Sequence, residues 1–384
     1  MLELNRKSIK NRVLLPVSSA FLAFALVACG GGGTDTTTTS GGGDTATQES
    51  AYDLPFDGTV SLTGAGATFP AALYQNWFVS LNKEVPQLQV NYQSVGSGAG
   101  VEQFSAGTVD FGASDVAMTD EEMERVERGT LLLPVTAGAI VYAYNLEGIE
   151  GLKLTRQAYV DITLGKITRW NDPAITESNP DLTLPDEPIT FVHRSDGSGT
   201  TGFFTKHLTA ISPEWAEKVG EGKTVQWGPI GGTFVGGKGN EGVAATIQQT
   251  EGAIGYVEYG YAKNNKNIKM AAIANGSGEF IVPSDEAASR TLANVELPEN
   301  LRAFITDPEG TDSYPIVTYS WIMAYKEYSD PDKAAALEAT IQYVLTTGQE
   351  VAPALGYIPL PPNVVAKVAE VADQISPDYT IKVN

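Results

Sequence analysis

The sequence predicts an α/β fold with largely parallel sheets, and two observations carry that expectation. Strand-like apolar runs at 88–94, 109–113, 140–144, 189–192, 253–257 and 321–325 alternate with helical stretches at 71–81, 121–128, 240–248, 331–346 and 363–374. Such alternation marks helices that cover a mainly parallel sheet. In addition, three turns built from Gly, Ser and Thr each sit between a strand-like and a helix-like run. They are Gly64-Ala65-Gly66-Ala67-Thr68-Phe69, Gly96-Ser97-Gly98-Ala99-Gly100 and Arg194-Ser195-Asp196-Gly197-Ser198-Gly199-Thr200-Thr201. Ligands of open α/β sheets bind beyond the strand C-termini, where loops enter helices. A helix N-terminus leaves N–H groups without intrahelical partners and carries about half a positive charge, while Gly admits a ligand close to the backbone. Three anion cradles are therefore expected.

From the N-terminus, residues 1–28 read as a signal peptide and not as part of the fold. Arg6, Lys7, Lys10 and Arg12 precede an apolar run over 13–28 that is too short and too one-sided in its flanks for a membrane span. The run ends in Leu26-Val27-Ala28-Cys29, which resembles a bacterial lipobox, where the cysteine is lipidated and becomes the first residue of the mature chain. A palmitate-bearing lipoprotein anchor is thus expected on Cys29. Cys29 is the single cysteine of 384 residues, so an internal disulfide is excluded and thiol catalysis is not expected. Residues 29–56 then read as a flexible Gly/Thr/Ser tether, with almost no apolar side chains to offset its ordering entropy. The globular part is expected from near Asp57, hung from a membrane surface by several acyl chains.

Removing residues 1–28 takes away four basic residues and one acid, which moves the net charge from −21 to −24. A chain so acidic is a poor nucleic-acid ligand, because that affinity rests on basic patches. Bulk charge is screened beyond about 10 Å at ordinary salt, so a desolvated local anion site still prevails. Roughly 330 residues remain for folding, enough for two domains. Thr119-Asp120-Glu121-Glu122 fits a capping box opening the helix at 121. Pro308 and Gly310 mark a turn ahead of a candidate crossing segment at 312–319.

The third turn is the richest in chemistry. Arg194 keeps its charge at any working pH and offers a fork of donors matching a tetrahedral oxyanion. Asp196 is placed to pair with it and balance the charge of the empty site. Gly197-Ser198-Gly199-Thr200 then opens a helix, so that Ser198 can donate through its hydroxyl and Gly199 and Thr200 through N–H. The run Val109-Asp110-Phe111-Gly112-Ala113-Ser114-Asp115 ends a strand with a carboxylate where an anion would arrive. An acid there suits a ligand that brings a proton: hydrogen phosphate donates O–H to a carboxylate, whereas sulfate at neutral pH has none to give. A site that demands such a bond rejects analogues lacking it by roughly 10⁴–10⁵.

Five ordered motifs now resemble one family. Leu62-Thr63-Gly64-Ala65-Gly66-Ala67-Thr68-Phe69-Pro70, the 109–115 run, the 194–200 turn, Gly236-Gly237-Lys238-Gly239-Asn240 and Gly252-Ala253-Ile254-Gly255-Tyr256-Val257-Glu258-Tyr259 are similar to the periplasmic phosphate-binding proteins of bacterial phosphate ABC importers. The resemblance runs from about Thr59 to the C-terminal helix. It implies phosphate contacts at Thr68, Phe69, Ser97, Asp115, Arg194, Ser198, Gly199 and Thr200, with Asp115 as the proton-accepting carboxylate and Asp196 as the acid paired with Arg194. It also implies a two-lobe periplasmic-binding-protein fold with two crossing segments, near 136–145 and 313–321, and the ligand in the interlobe cleft. The lobes are expected at 57–140 plus 317–384 and at 141–316. Partners implied are inorganic phosphate, a membrane permease and its ATPase; the chain is expected to be a monomer in the cell envelope, with no cofactor and no metal. The sequence departs from the family pattern at Ser195 and in a longer Gly232-Thr233-Phe234-Val235 loop, neither of which touches an expected contact.

Other readings fare worse. Gly232-Thr233-Phe234-Val235-Gly236-Gly237-Lys238 has P-loop spacing, but Gly239 stands where Ser or Thr holds Mg²⁺. The first turn lacks the last glycine of a dinucleotide fingerprint. A phosphatase needs a nucleophile with a base, or metal ligands; the two histidines, His193 and His207, read as a strand end and a helix position, and Ser198 has no evident base. A tethered surface protein that binds phosphate without importing it stays open.

Overall fold

The computed structural model describes residues 52–293 and 295–383. The signal peptide, Cys29 and the tether up to residue 51 lie outside the described residues. Packing begins somewhat before Asp57: Tyr52 is buried, and Leu54 and Phe56 lie against the core. These three side chains supply the apolar surface that the Gly/Thr stretch before them lacks.

The first strands are β1 (Val60–Gly66), β2 (Leu88–Ser94), β3 (Phe111–Ser114) and β4 (Thr130–Asn145). There follow β5 (Lys153–Leu154), β6 (Thr190–Arg194), β7 (Thr233–Gly237) and β8 (Ala253–Glu258). The last are β9 (Lys269–Met270), β10 (Ala272–Ala274), β11 (Phe280–Ile281) and β12 (Val317–Tyr325). Nine of these form one sheet in the order β2-β1-β3-β12-β4-β8-β6-β7, with β9 on β4; β11, β10 and β5 make a small second sheet.

The expectation of parallel strands holds at the two flanks and fails in the middle. β2, β1 and β3 run parallel, as do β8, β6 and β7, but β12 is antiparallel to β3 and β4, and β4 to β8. The cause is the length of β4. Its residues 130–139 pair with β12 and its residues 140–145 with β8, so one 16-residue strand joins two half-sheets. Only its second part, 140–144, is visible as a strand in the sequence, because Pro134 argues against a central strand. The structure accommodates that proline with a register shift: Ser320 pairs with Thr136 and Trp321 with Pro134, so Val135 is the extra residue of a bulge in β4, next to a proline that brings no N–H to the ladder. The chain passes between half-sheets here and again at Ile316, whose carbonyl accepts the Ile140 N–H at 2.9 Å just ahead of β12. Both places lie within the crossings expected near 136–145 and 313–321.

Helices Ala71–Glu84 and Gly199–Ile211 bury Tyr74, Trp77 and Phe78, and Phe203, Phe204 and Leu208, against the two half-sheets. Two local readings differ. The helix at 121–128 is confined to Asp120–Glu124, although the Thr119/Glu122 capping box is present. The 232–235 stretch, read as a loop, forms most of edge strand β7, because Phe234 packs on Phe191 at a ring separation of 5.4 Å.

Candidate functional site

Four strand ends, not three, feed helix N-termini at one place in the fold. β1 leads through Thr68 and Phe69 into helix Ala71–Glu84, and β2 through Gly96, at φ 93°, into helix Ser97–Ser105. β6 leads into helix Gly199–Ile211, which Ser198 caps by accepting the Thr201 N–H at 3.0 Å. The unforeseen fourth is β7, followed by helix Gly239–Gln249.

These turns meet across a seam. The Gly98 N–H donates to the Gly197 carbonyl at 2.9 Å. A Cβ at Gly96 would lie 2.5 Å from Asp196 Oδ2, and a Cβ at Gly199 would lie 2.5 Å from Ser97 Oγ and 2.8 Å from the Asp115 side chain. Only glycine permits approach that close. A groove of about 750 Å³ follows the seam, lined by Gly98, Glu122, Arg125, Asp196, Gly197 and Lys223 among others.

The eight residues expected to touch an anion are all buried and clustered here: Thr68, Phe69, Ser97, Asp115, Arg194, Ser198, Gly199 and Thr200. Arg194 is 4% exposed. Its Nε and Nη2 donate to the two oxygens of Asp196 at 2.8 and 2.5 Å, and the Gly239 N–H adds a third bond to that carboxylate at 3.1 Å. Burial alone would raise the Asp196 pKa, but the bonds and charge of Arg194 outweigh it and hold the group below the usual carboxylate range. The pair fixes the guanidinium in one orientation and leaves Nη1 outside the Asp196 fork.

Asp115 is 1% exposed. Ser320 Oγ donates to its Oδ1 at 2.8 Å and Ser97 Oγ to its Oδ2 at 3.3 Å. Burial pushes its pKa up to about 7, against the opposing pull of the Ser320 bond, the Arg194 charge and the Ser97 bond.

Several supporting residues escape sequence reasoning. Ser320 reaches Asp115 from β12, opposite the β4 bulge. Three successive carbonyls of the first turn, those of Ala67, Thr68 and Phe69, accept hydroxyl protons from Tyr92, Tyr261 and Tyr357 at 2.7, 2.7 and 2.8 Å. In a trans peptide the N–H points opposite to the preceding C=O, so these tyrosines aim the Thr68 and Phe69 N–H groups the other way. The tyrosines lie 25, 193 and 288 positions from their partners, so no local pattern announces them. Asn240 lies inside the quoted 236–240 motif, yet nothing in that motif assigns it a role. It is fully buried and bonds to Thr68, Thr200 and the Glu258 N–H.

Neither histidine faces this cluster as a base. His193 Nδ1 contacts its neighbour's carbonyl, that of Arg194, at 2.8 Å and the ring stacks on Trp227. His207 is fully buried, with Nε2 on the Tyr159 hydroxyl at 3.0 Å, and burial pushes its pKa down to about 4. Among the described residues no group of three or more His, Cys, Asp or Glu side chains is placed to hold a metal ion, and no helix is long and apolar enough to cross a membrane.

A model of the PBP superfamily domain matches residues 33–347. The phosphate-binding protein PstS of Xylella fastidiosa is 41% identical over 314 residues, 81% of this chain and 84% of that protein. Its namesake from Pasteurella multocida is 42% identical over 312 residues, 80% and 88% of the two chains. A solved high affinity periplasmic phosphate-binding protein bound with phosphate matches with a TM-score of 0.68 at 21% identity, covering 81% of this chain and 93% of that one. At that identity the likeness speaks for the fold, which is the two-lobe periplasmic-binding architecture. On the superfamily match and these relatives together, the chain belongs to the PBP superfamily, within the PstS family of phosphate-binding proteins.

Proposed function

We propose that this chain captures hydrogen phosphate outside the cytoplasmic membrane and delivers it to an ABC permease and its ATPase for import. The lobes are 57–140 with 317–384 and 141–316, and the anion lies between them on Thr68, Phe69, Ser97, Asp115, Arg194, Ser198, Gly199 and Thr200. Asp115 accepts the ligand's proton, Arg194 supplies the permanent charge, and hydroxyl and N–H groups at the helix starts supply the remaining donors. The observation that carries this reading is the buried Asp115 carboxyl, which accepts from Ser320 and Ser97 within the cluster that holds Arg194 and the helix starts. Each neutral bond contributes about 0.5–1.5 kcal/mol net and each to a charged group about 1.5–3. Their number, held in place before the ligand arrives, must outweigh the anion's desolvation.

The chain acts as a monomer, anchored through lipidated Cys29 and the tether. It is a binder and not an enzyme: Ser198 Oγ already serves as a helix cap, and both imidazoles are engaged elsewhere. Titration calorimetry of the purified chain tests the assignment. Phosphate should bind at least about 10⁴-fold tighter than sulfate; equal binding of the two overturns the role of Asp115. Stimulated phosphate uptake by a reconstituted importer distinguishes delivery from a phosphate-binding surface protein. Turnover of a phosphomonoester that is abolished by Ser198→Ala would establish a phosphatase instead.

A further inference from the structure

Asn240 stands in the middle of the cluster with every polar atom of its side chain committed. Its Oδ1 accepts the Glu258 backbone N–H at 3.1 Å. Since a backbone N–H can only donate, that bond identifies which end of the amide is oxygen. The other end is therefore the NH₂ group, and it donates to Thr68 Oγ1 at 2.9 Å and to Thr200 Oγ1 at 3.1 Å. The backbone N–H of Asn240 donates to the same Thr68 Oγ1 at 3.1 Å.

A threonine hydroxyl has two acceptor lone pairs and one proton. Both lone pairs of Thr68 Oγ1 are taken by Asn240, so the one bond left to this hydroxyl is a donated one. Thr200 Oγ1 has one lone pair filled in the same way, which biases it toward donation. Thr68 is 2% exposed and Thr200 and Asn240 are fully buried, so water does not readily take the place of these partners.

We propose that Asn240 is a positioning residue that forces Thr68, and biases Thr200, to present hydroxyl protons to the ligand. This rests on the phosphate-binding reading above and deepens it. The site then reads the anion from two sides with opposite demands: at Asp115 the ligand oxygen must carry a proton, and at Thr68 it must not. Asn240 touches no ligand atom in this scheme; it acts through the two hydroxyls, which belong to segments 68 and 200 on opposite sides of the seam.

A double-mutant cycle tests the idea. Phosphate is titrated by calorimetry into the wild-type chain, Asn240→Ala, Thr68→Val and the double variant, with the ligand-free melting temperature of each recorded. Each single variant should bind about tenfold more weakly or worse, the equivalent of about one hydrogen bond. The double variant should bind within about threefold of Thr68→Val, because without the hydroxyl there is less left to orient. Losses that multiply, or an Asn240→Ala variant that binds as wild type, overturn the inference alone. A wild-type chain that takes no phosphate overturns the function proposed above and this inference with it.

Asn240→Asp is the second variant, nearly isosteric and independent of any collapse caused by alanine. Its carboxylate would accept both threonine protons and turn them away from the ligand. The ratio of its Kd to that of wild type, which cancels the ligand's own titration, should be largest at pH 8. It should fall at least about tenfold toward pH 5, as the carboxyl gains a proton and can donate again. A ratio independent of pH is the outcome a merely structural asparagine would give, and it would also overturn the inference.

Discussion

At the scale of single residues, Asp115 shows how burial changes the titration of an ordinary acid. The carboxyl moves from an ordinary 3.8 to about 7 because it is removed from water, even though Ser320, Arg194 and Ser97 all favour its ionised form. The folded chain thus binds a proton that the unfolded chain releases between those two values. For an acid raised in this way, the contribution to stability is fullest below about 4 and is lost as pH rises through about 7. Asp115→Asn removes the titration. The ligand-free variant should be more stable than wild type at pH 8, by at most about 4 kcal/mol at roughly 1.4 kcal/mol per tenfold, and the gain should vanish near pH 4. Denaturant unfolding at the two pH values measures this; a gain of equal size at both would show that the titration is not its source. The same variant should lose most of the preference for phosphate over sulfate.

Among elements, the strand–turn–helix unit is repeated until four helix N-termini share one seam. The turns after β1, β2 and β6 are legible in the sequence because Gly, Ser and Thr cluster in them. The fourth, after β7, is disguised: its 232–238 segment carries P-loop spacing, and the glycines that flank and end Thr233-Phe234-Val235 obscure the strand character of those three residues. Its strand form comes from pairing with β6 in parallel register. The third turn offers the sharpest test of how tightly the units meet. A Cβ at Gly199 would stand 2.5 Å from Ser97 Oγ and 2.8 Å from the Asp115 side chain. Contacts that close force something to shift. Gly199→Ala should therefore lower the ligand-free melting temperature and weaken phosphate binding by tenfold or more, on the order of 1.4 kcal/mol. Calorimetry and a thermal melt of one preparation check both halves, and unaltered affinity would show that the seam opens at Gly199 without cost.

For the whole molecule, ion pairs beside the anion cluster join the same two sides. Lys223 Nζ bonds to Glu122 at 2.6 Å, and Arg302 to Asp120 at 2.5 Å, so two cations from the 141–316 segment grip the short helix Asp120–Glu124. The Lys223–Glu122 pair is about four-fifths buried on both sides, which places it between the near-zero value of surface pairs and the larger effects of buried ones. Lys223→Ala should speed phosphate release about threefold to tenfold, leave association within about twofold, and reduce the salt dependence of release. Stopped-flow kinetics at two ionic strengths reads all three; a change confined to association would assign Lys223 to steering the anion instead of holding the seam.

Much of this protein was legible in its chain because the deciding physics is local. Helix starts, the Arg194-to-Thr200 cradle, the Thr119 capping box and the alternation of strands and helices each depend on residues within a few positions of one another. Residues 130–139 of β4 were not legible, since this proline-bearing central strand depends on a bulge at Val135 that appears only once it pairs with β12. Nor were the functions of Tyr92, Tyr261, Tyr357, Ser320 and Asn240 legible, although each residue is plain to see. Their hydrogen bonds to the turns span up to 288 positions, and a hydroxyl or an amide has no preferred role until folding brings an acceptor within 3 Å. The sequence alone therefore determined which donors, charges and glycine turns the chain carries. Tertiary packing decided which way those groups point and raised the pKa of Asp115, because direction and desolvation arise only when distant segments close around a polar atom.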